Sequence, residues 1–235
     1  MMSTDQRHVR RPPSGPALLA LAIFSAVPAL AHAAAPVTAE EAAVSTGSWF
    51  CSRYEAAAAA GSRPAAAEVA SVVRAFALGY VYGVSDAVGK PLPEAADTDR
   101  RIIDLLGTGC SQDGSRAVRD ATLLAGRAML EDARARQAGD AADAADATVT
   151  AGRLACRTYL DTRSAGPSSL RLEQVHNWAD GYVNARFERA GRGLIPTAKN
   201  KALVLERFSA ACAAQPSATV REAARSVAEA TLPAR

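Results

Sequence analysis

The chain repeats itself, and the repeat limits what it can fold into. Cys51-x2-Tyr54 recurs as Cys156-x2-Tyr159, an offset of 105 residues. Gly79-Tyr80-Val81 recurs as Gly181-Tyr182-Val183, and Ser115-x2-Val118-Arg119 as Ser217-x2-Val220-Arg221, both at an offset of 102. Gly79 to Cys110 and Gly181 to Cys212 each span 31 positions. One three-residue gap early in the unit reconciles the two offsets. A period near 100 is too long for a solenoid unit. It predicts two homologous small domains, residues 34–138 and 139–235, with a boundary near Gly139. The joining stretch "RARQAGDAADAADATVT" (134–150) lacks large apolar residues and reads as a solvated linker or helix extension.

Val-rich strand runs are missing, and aromatic residues make up only 5% of the chain. The reading is all-α, with a core of small side chains at close spacing. Four helices are expected per module: 38–60, 64–89, 97–110 and 115–136, then 148–163, 168–190, 197–213 and 217–232. Thr38-Ala39-Glu40-Glu41 fits a capping box, Pro64 a helix start, and "GKPLP" a break.

Residues 1–33 read as a secretory signal peptide: Arg7, Arg10 and Arg11, then the apolar "ALLALAIFSAVPAL", then Ala31-His32-Ala33 as a cleavage site. The apolar run is too short to cross a bilayer, and no later segment is expected to. Cleavage would leave 24 basic and 23 acidic residues, a balance of +1. That charge gives no support to nucleic-acid binding. The predicted location is periplasmic or secreted.

Four cysteines in an exported chain point to disulfides. Three pairings are possible; the repeat favours Cys51–Cys110 and Cys156–Cys212, which would close each module on itself. No C-x-x-C supports redox chemistry.

The segment "NWADGY" (177–182) raises a catalytic question, because Glu173, His176 and Asp180 fall at helical spacing. At 100° per residue, Leu172, Val175, Trp178, Ala179, Tyr182, Val183, Ala185 and Phe187 form one arc. Glu173, Gln174, Asn177, Asp180, Gly181, Asn184 and Glu188 form a polar arc, with His176 at the edge beside Asp180. In the sister copy His176 becomes Arg74, Trp178 becomes Phe76 and Asp180 becomes Leu78. A structural role is therefore expected for the His–Asp edge, with Trp178 and Tyr182 in the core. One remaining histidine is too few for a zinc site. With no nucleophile–base set or phosphate loop, the reading is non-enzymatic, without metal or cofactor. Gly79 and Gly83, like Gly181 and Ala185, place small residues four apart where another segment can come close. The first copy is also more apolar: Val72, Leu78 and Tyr82 stand where the second has Gln174, Asp180 and Asn184. Those three mark either the contact with the sister module or a surface for a partner.

"CRTYL", "NWADGY" and "FSAACAAQPSATVREAA" together make the second copy resemble the HdeA/HdeB-type periplasmic acid-stress chaperones. The resemblance covers about 70 residues and implies a small helical domain with one internal disulfide. It implies dimers that are folded at neutral pH and loosen in acid, exposing apolar surface that holds unfolding proteins. Protonating all 23 acidic groups would take the charge from +1 to about +24, enough repulsion to open a small domain. Two modules in one chain could mimic that dimer. "GYVYGVSDAV" in the first copy also resembles the Rap/Tai-type immunity proteins, which neutralise type VI secretion effectors. That likeness implies a specific protein partner instead.

Overall fold

The computed structural model describes residues 44–136, 151–166, 169–193 and 197–231. The signal-peptide reading, the capping box at Thr38 and the boundary near Gly139 fall outside them. The described residues form eight α-helices and no strand ladder: α1 (Cys51–Ala59), α2 (Pro64–Ala87), α3 (Ala96–Gln112), α4 (Val118–Arg136), α5 (Cys156–Ala165), α6 (Leu170–Arg189), α7 (Ala198–Ala214) and α8 (Val220–Thr231). Local chemistry sets several starts. Pro64 opens α2, where its missing N–H costs nothing. The Ser169 and Thr197 hydroxyls cap α6 and α7 by accepting from the Leu172 and Asn200 amides. Thr219 and Glu222 form a reciprocal capping box at α8.

Helices α1 and α5 start later than the sequence suggests. Residues 46–48 and 151–153 each form one 3-10 turn. Phe50 and Ala155 then run extended and pair with Ala117 and Thr219. The Cys51 amide donates to the Arg116 carbonyl at 2.8 Å and the Val118 amide to the Trp49 carbonyl at 2.8 Å. The Cys156 amide donates to Ala218 and the Val220 amide to Leu154, both at 2.8 Å. These long-range bonds satisfy amides that an added helical turn would have used internally. Sequence periodicity does not report them, but the repeat does, since each bond recurs at its equivalent position.

Disulfides join Cys51 to Cys110 and Cys156 to Cys212, at sequence separations of 59 and 56. Each ties the first helix of its half to the third. Loops of this length correspond to about 4 kcal/mol each in the chain-entropy model. Tyr54 and Tyr159, three residues after the first cysteines, are buried beside them.

The two halves meet mainly through α2 and α6, the most extensive helix contact in the fold. Their cores are not separate. The cluster around Trp178, Tyr182 and Phe208 also takes in Ala75, Val81, Tyr82, Leu92, Ile102 and Met129 of the first half, and Ala185 of α6 joins the first-half cluster. By length and composition alone α2 is long and apolar enough to cross a membrane. Most of it is buried inside the protein. That is the other environment for a helix that is apolar on every side.

Candidate functional site at the seam between the halves

The α2–α6 seam is reciprocal. A Cβ built on Gly79 would lie 1.9 Å from the Trp178 carbonyl oxygen, and one built on Gly181 would lie 2.2 Å from the Phe76 carbonyl oxygen. Gly79 is equivalent to Gly181, and Phe76 to Trp178. Each helix therefore sets its glycine against the same point on its partner, as in an isologous dimer contact. The Tyr80 hydroxyl donates to Glu188 at 2.6 Å, and the Tyr182 hydroxyl to Asp86 at 2.5 Å. Here too the four residues are two equivalent pairs. Gly47 and Gly152 repeat the pattern behind the seam, lying against the Phe76 and Trp178 rings.

Val72 and Tyr82 are buried, and Leu78 packs partly buried against the core. All three lie on α2. The Tyr82 ring is 6.2 Å from Trp178, which stacks on Tyr182 at 5.4 Å. Trp178 has no exposure, and its indole nitrogen has no hydrogen-bond partner among the described residues. Packing rather than hydrogen bonding therefore holds it.

Part of the polar arc of α6 is buried. Asn177, Asp180 and Asn184 are all buried. Asp180 accepts from Ser45 at 2.7 Å and from the Asn184 amide at 2.9 Å. Asn177 accepts from Thr46 at 2.6 Å. The Lys201 ammonium of α7 donates to Asn177 and to the Val44 carbonyl, both at 3.4 Å. The turn that precedes α1 thus crosses the seam and covers this face, so helical periodicity alone does not report its surroundings. Burial pushes the Asp180 carboxyl up, while Lys201, Ser45 and Asn184 pull it down. Burial pushes Lys201 down against the pull of Asp180 and Glu173.

His176 does not pair with Asp180. Its ring stands 3.3 Å from the Tyr159 hydroxyl and 3.8 Å from Glu173, whose carboxyl it lowers. In the first half Arg74 donates to the equivalent hydroxyl, Tyr54, at 3.4 Å. The position serves as a clamp on the tyrosine beside each disulfide. Among the described residues, no group of three His, Cys, Asp or Glu side chains converges as metal ligands would.

The strongest electrostatic feature of the seam went unpredicted. Arg221 of α8 donates to both oxygens of Asp86, at 2.6 and 3.0 Å, and to Glu94 at 2.6 Å. Arg225 adds a bond to Asp86 at 2.9 Å. The Asp86 side chain is only 3% exposed. Both acids belong to the first half and both arginines to the second. Burial alone would raise Asp86, but the hydrogen bonds from Arg221, Tyr182 and Arg225 outweigh it and hold the carboxyl at about 2. The sequence carried a signal for part of this: a carboxylate follows each Gly-Tyr tyrosine by six residues, Asp86 after Tyr80 and Glu188 after Tyr182.

Asp99 behaves in the opposite way. Burial lifts it to about 6, although it accepts from the Tyr82 hydroxyl at 2.7 Å. The signs set two pH windows. Asp86 is lowered, so its stabilisation is present above its ordinary 3.8 and is lost as pH falls through about 2. Asp99 is raised, so its contribution is complete below 3.8 and fades as pH rises through about 6. Asp99→Asn is expected to remove a fall in stability between those two values. Urea unfolding across that range checks it: the wild type should lose stability with rising pH, and the variant should give a flatter profile.

Neither disulfide crosses the seam. Among the described residues, packing, hydrogen bonds and these ion pairs join the halves. In comparisons with known proteins, no family model, no curated protein and no solved structure matched this chain.

Proposed function

We propose that this chain is an exported, non-enzymatic holdase: two four-helix modules packed as an intramolecular pseudo-dimer, which acid opens to bind unfolding proteins. One observation carries the reading. The most apolar helix, α2, is buried in a seam fastened across its charged edge by carboxylate–arginine pairs, while both disulfides lie within halves. Protonating Asp86 removes the attraction it exerts on both arginines and leaves Arg221 and Arg225 facing each other's charge. Broken buried pairs cost far more than exposed ones. The disulfides would keep each half closed as the seam parts. Apolar surface of α2 and α6, including Val72, Leu78 and Tyr82, would then become available to clients. The likeness to the HdeA/HdeB-type chaperones points the same way, and two disulfides suit an oxidising compartment such as the periplasm.

The pH windows limit where opening can occur. Asp99 and Asp180 favour the closed form in mild acid, so release is expected near the Asp86 value of about 2 rather than at its ordinary 3.8. The test measures apolar-dye binding and suppression of client aggregation at neutral pH and at about pH 2. Both should rise in acid, with the disulfides intact. Unchanged compactness in acid would refute the holdase reading. Stoichiometric capture of one folded protein at neutral pH would favour the immunity-type alternative.

A further inference from the structure

The reciprocity of the two halves fails where Tyr82 has no aromatic counterpart, and a cleft opens there. In one copy of the arrangement the Tyr82 ring lies beside Trp178, with the Arg221 guanidinium 5.0 Å from the ring centre. The equivalents of these three residues are Asn184, Phe76 and Arg119. Both aromatic side chains are replaced by smaller ones. Between Asn184, Phe76 and Arg119 lies a cleft of about 190 Å³, completed by Ser45, Gly47, Ser48 and Ala117. A cavity of roughly 150 Å³ is enough to hold benzene, so the space suits one substituted ring.

We propose that this cleft is a binding site for a phenol ring, which takes the place that Tyr82 fills in the other copy. Phe76 lies at its base but has no accessible surface of its own, so a bound ring would rest on Gly47, which packs against the Phe76 ring. Arg119 would lie over the ring as Arg221 lies over Tyr82, a cation–π contact. Ser45, Ser48 and Asn184 stand at the wall; they donate to Asp180 and to the Ser45 carbonyl, so their oxygens would accept from the ring hydroxyl. The surrounding charge favours a neutral phenol over an aromatic acid. Asp120 stands 3.4 Å from Arg119, and Asp180 lies behind Ser45 at 2.7 Å. Both would repel a carboxylate. The phenol could be a free small molecule or a tyrosine side chain presented by a protein. The site does not depend on acid opening, since it exists in the closed form.

The test is titration of the whole protein at neutral pH with p-cresol and, separately, with a capped tyrosine peptide, followed by amide NMR. Saturable shifts centred on Gly47, Ser48 and Arg119 are expected. Asn184→Tyr restores the missing ring from within and should abolish them. Arg119→Gln leaves the cleft open and should weaken binding about two- to five-fold, the span of an exposed cation–π contact. Tighter binding of the peptide, competed by p-cresol, identifies a protein side chain as the occupant; p-cresol binding alone identifies a free phenol. Absence of saturable shifts in the wild type would overturn the proposal. So would equal binding by a folded Asn184→Tyr variant, or no weakening by Arg119→Gln.

Discussion

Replacing Gly79 and Gly181 together by alanine is expected to remove most of the stability of the closed form. A Cβ at either position lands within 2.2 Å of a backbone carbonyl oxygen on the opposing helix. Backbone atoms cannot rotate away as a side chain would, so α2 and α6 must separate. Overpacking in a core costs about 1–3 kcal/mol and sometimes more. Rigid backbone contacts belong at the upper end, about 3 kcal/mol for each site. Because the two contacts are equivalent, the single variants should be about equally harmful. Their sum approaches the roughly 5–15 kcal/mol that holds a typical domain folded. Urea unfolding of the two single variants and the double variant is the check. Gly107→Ala is the control, since a Cβ there meets nothing within 4 Å.

The second large effect is expected from Arg221→Met. The substitution keeps the length of the side chain and removes the guanidinium from Asp86 and Glu94, whose side chains are 3% and 10% exposed. Removing one partner of a buried pair costs about 3–5 kcal/mol, because the remaining charge stays buried. Arg225, which also reaches Asp86, should hold the loss toward the lower end. The consequence for pH is directional. Without Arg221 the Asp86 carboxyl loses its largest downward influence, and burial then raises it. The variant should therefore open at a higher pH than the wild type. Acid titrations of tyrosine and tryptophan fluorescence, run on both proteins, measure the displacement.

Much of the backbone was legible because the chain says nearly everything twice. The repeat fixed the equivalent residues, and the close approach at Gly79 and Gly181 followed from paired small residues on two helices. The disulfide pairing came from the same symmetry. What the repeat could not show lies where the copies differ. Asp180 falls on a polar arc by its spacing, yet it is buried, because the Ser45 turn of the other half covers it. No periodicity within α6 encodes a neighbour from 135 residues away. The Arg221 cluster was hidden for a related reason. Arg119, its equivalent, stands next to Asp120 at the surface, so comparison of the copies made the position look ordinary. The extended residues Phe50 and Ala155 were mistaken for helix because their bonds run to distant carbonyls.

The central claim is that the halves part as units, each closed by its own disulfide. Electron–electron distance measurement tests it most directly. Spin labels carried on unnatural side chains at the exposed Ser111 and Glu206 report across the seam, and labels at Ala59 and Ser111 report within the first half. The prediction is that the Ser111–Glu206 distances lengthen and broaden near the pH at which Asp86 protonates, about 2, while the Ala59–Ser111 distances hold. Cross-seam distances that do not change in acid, or two pairs that broaden together, would contradict it.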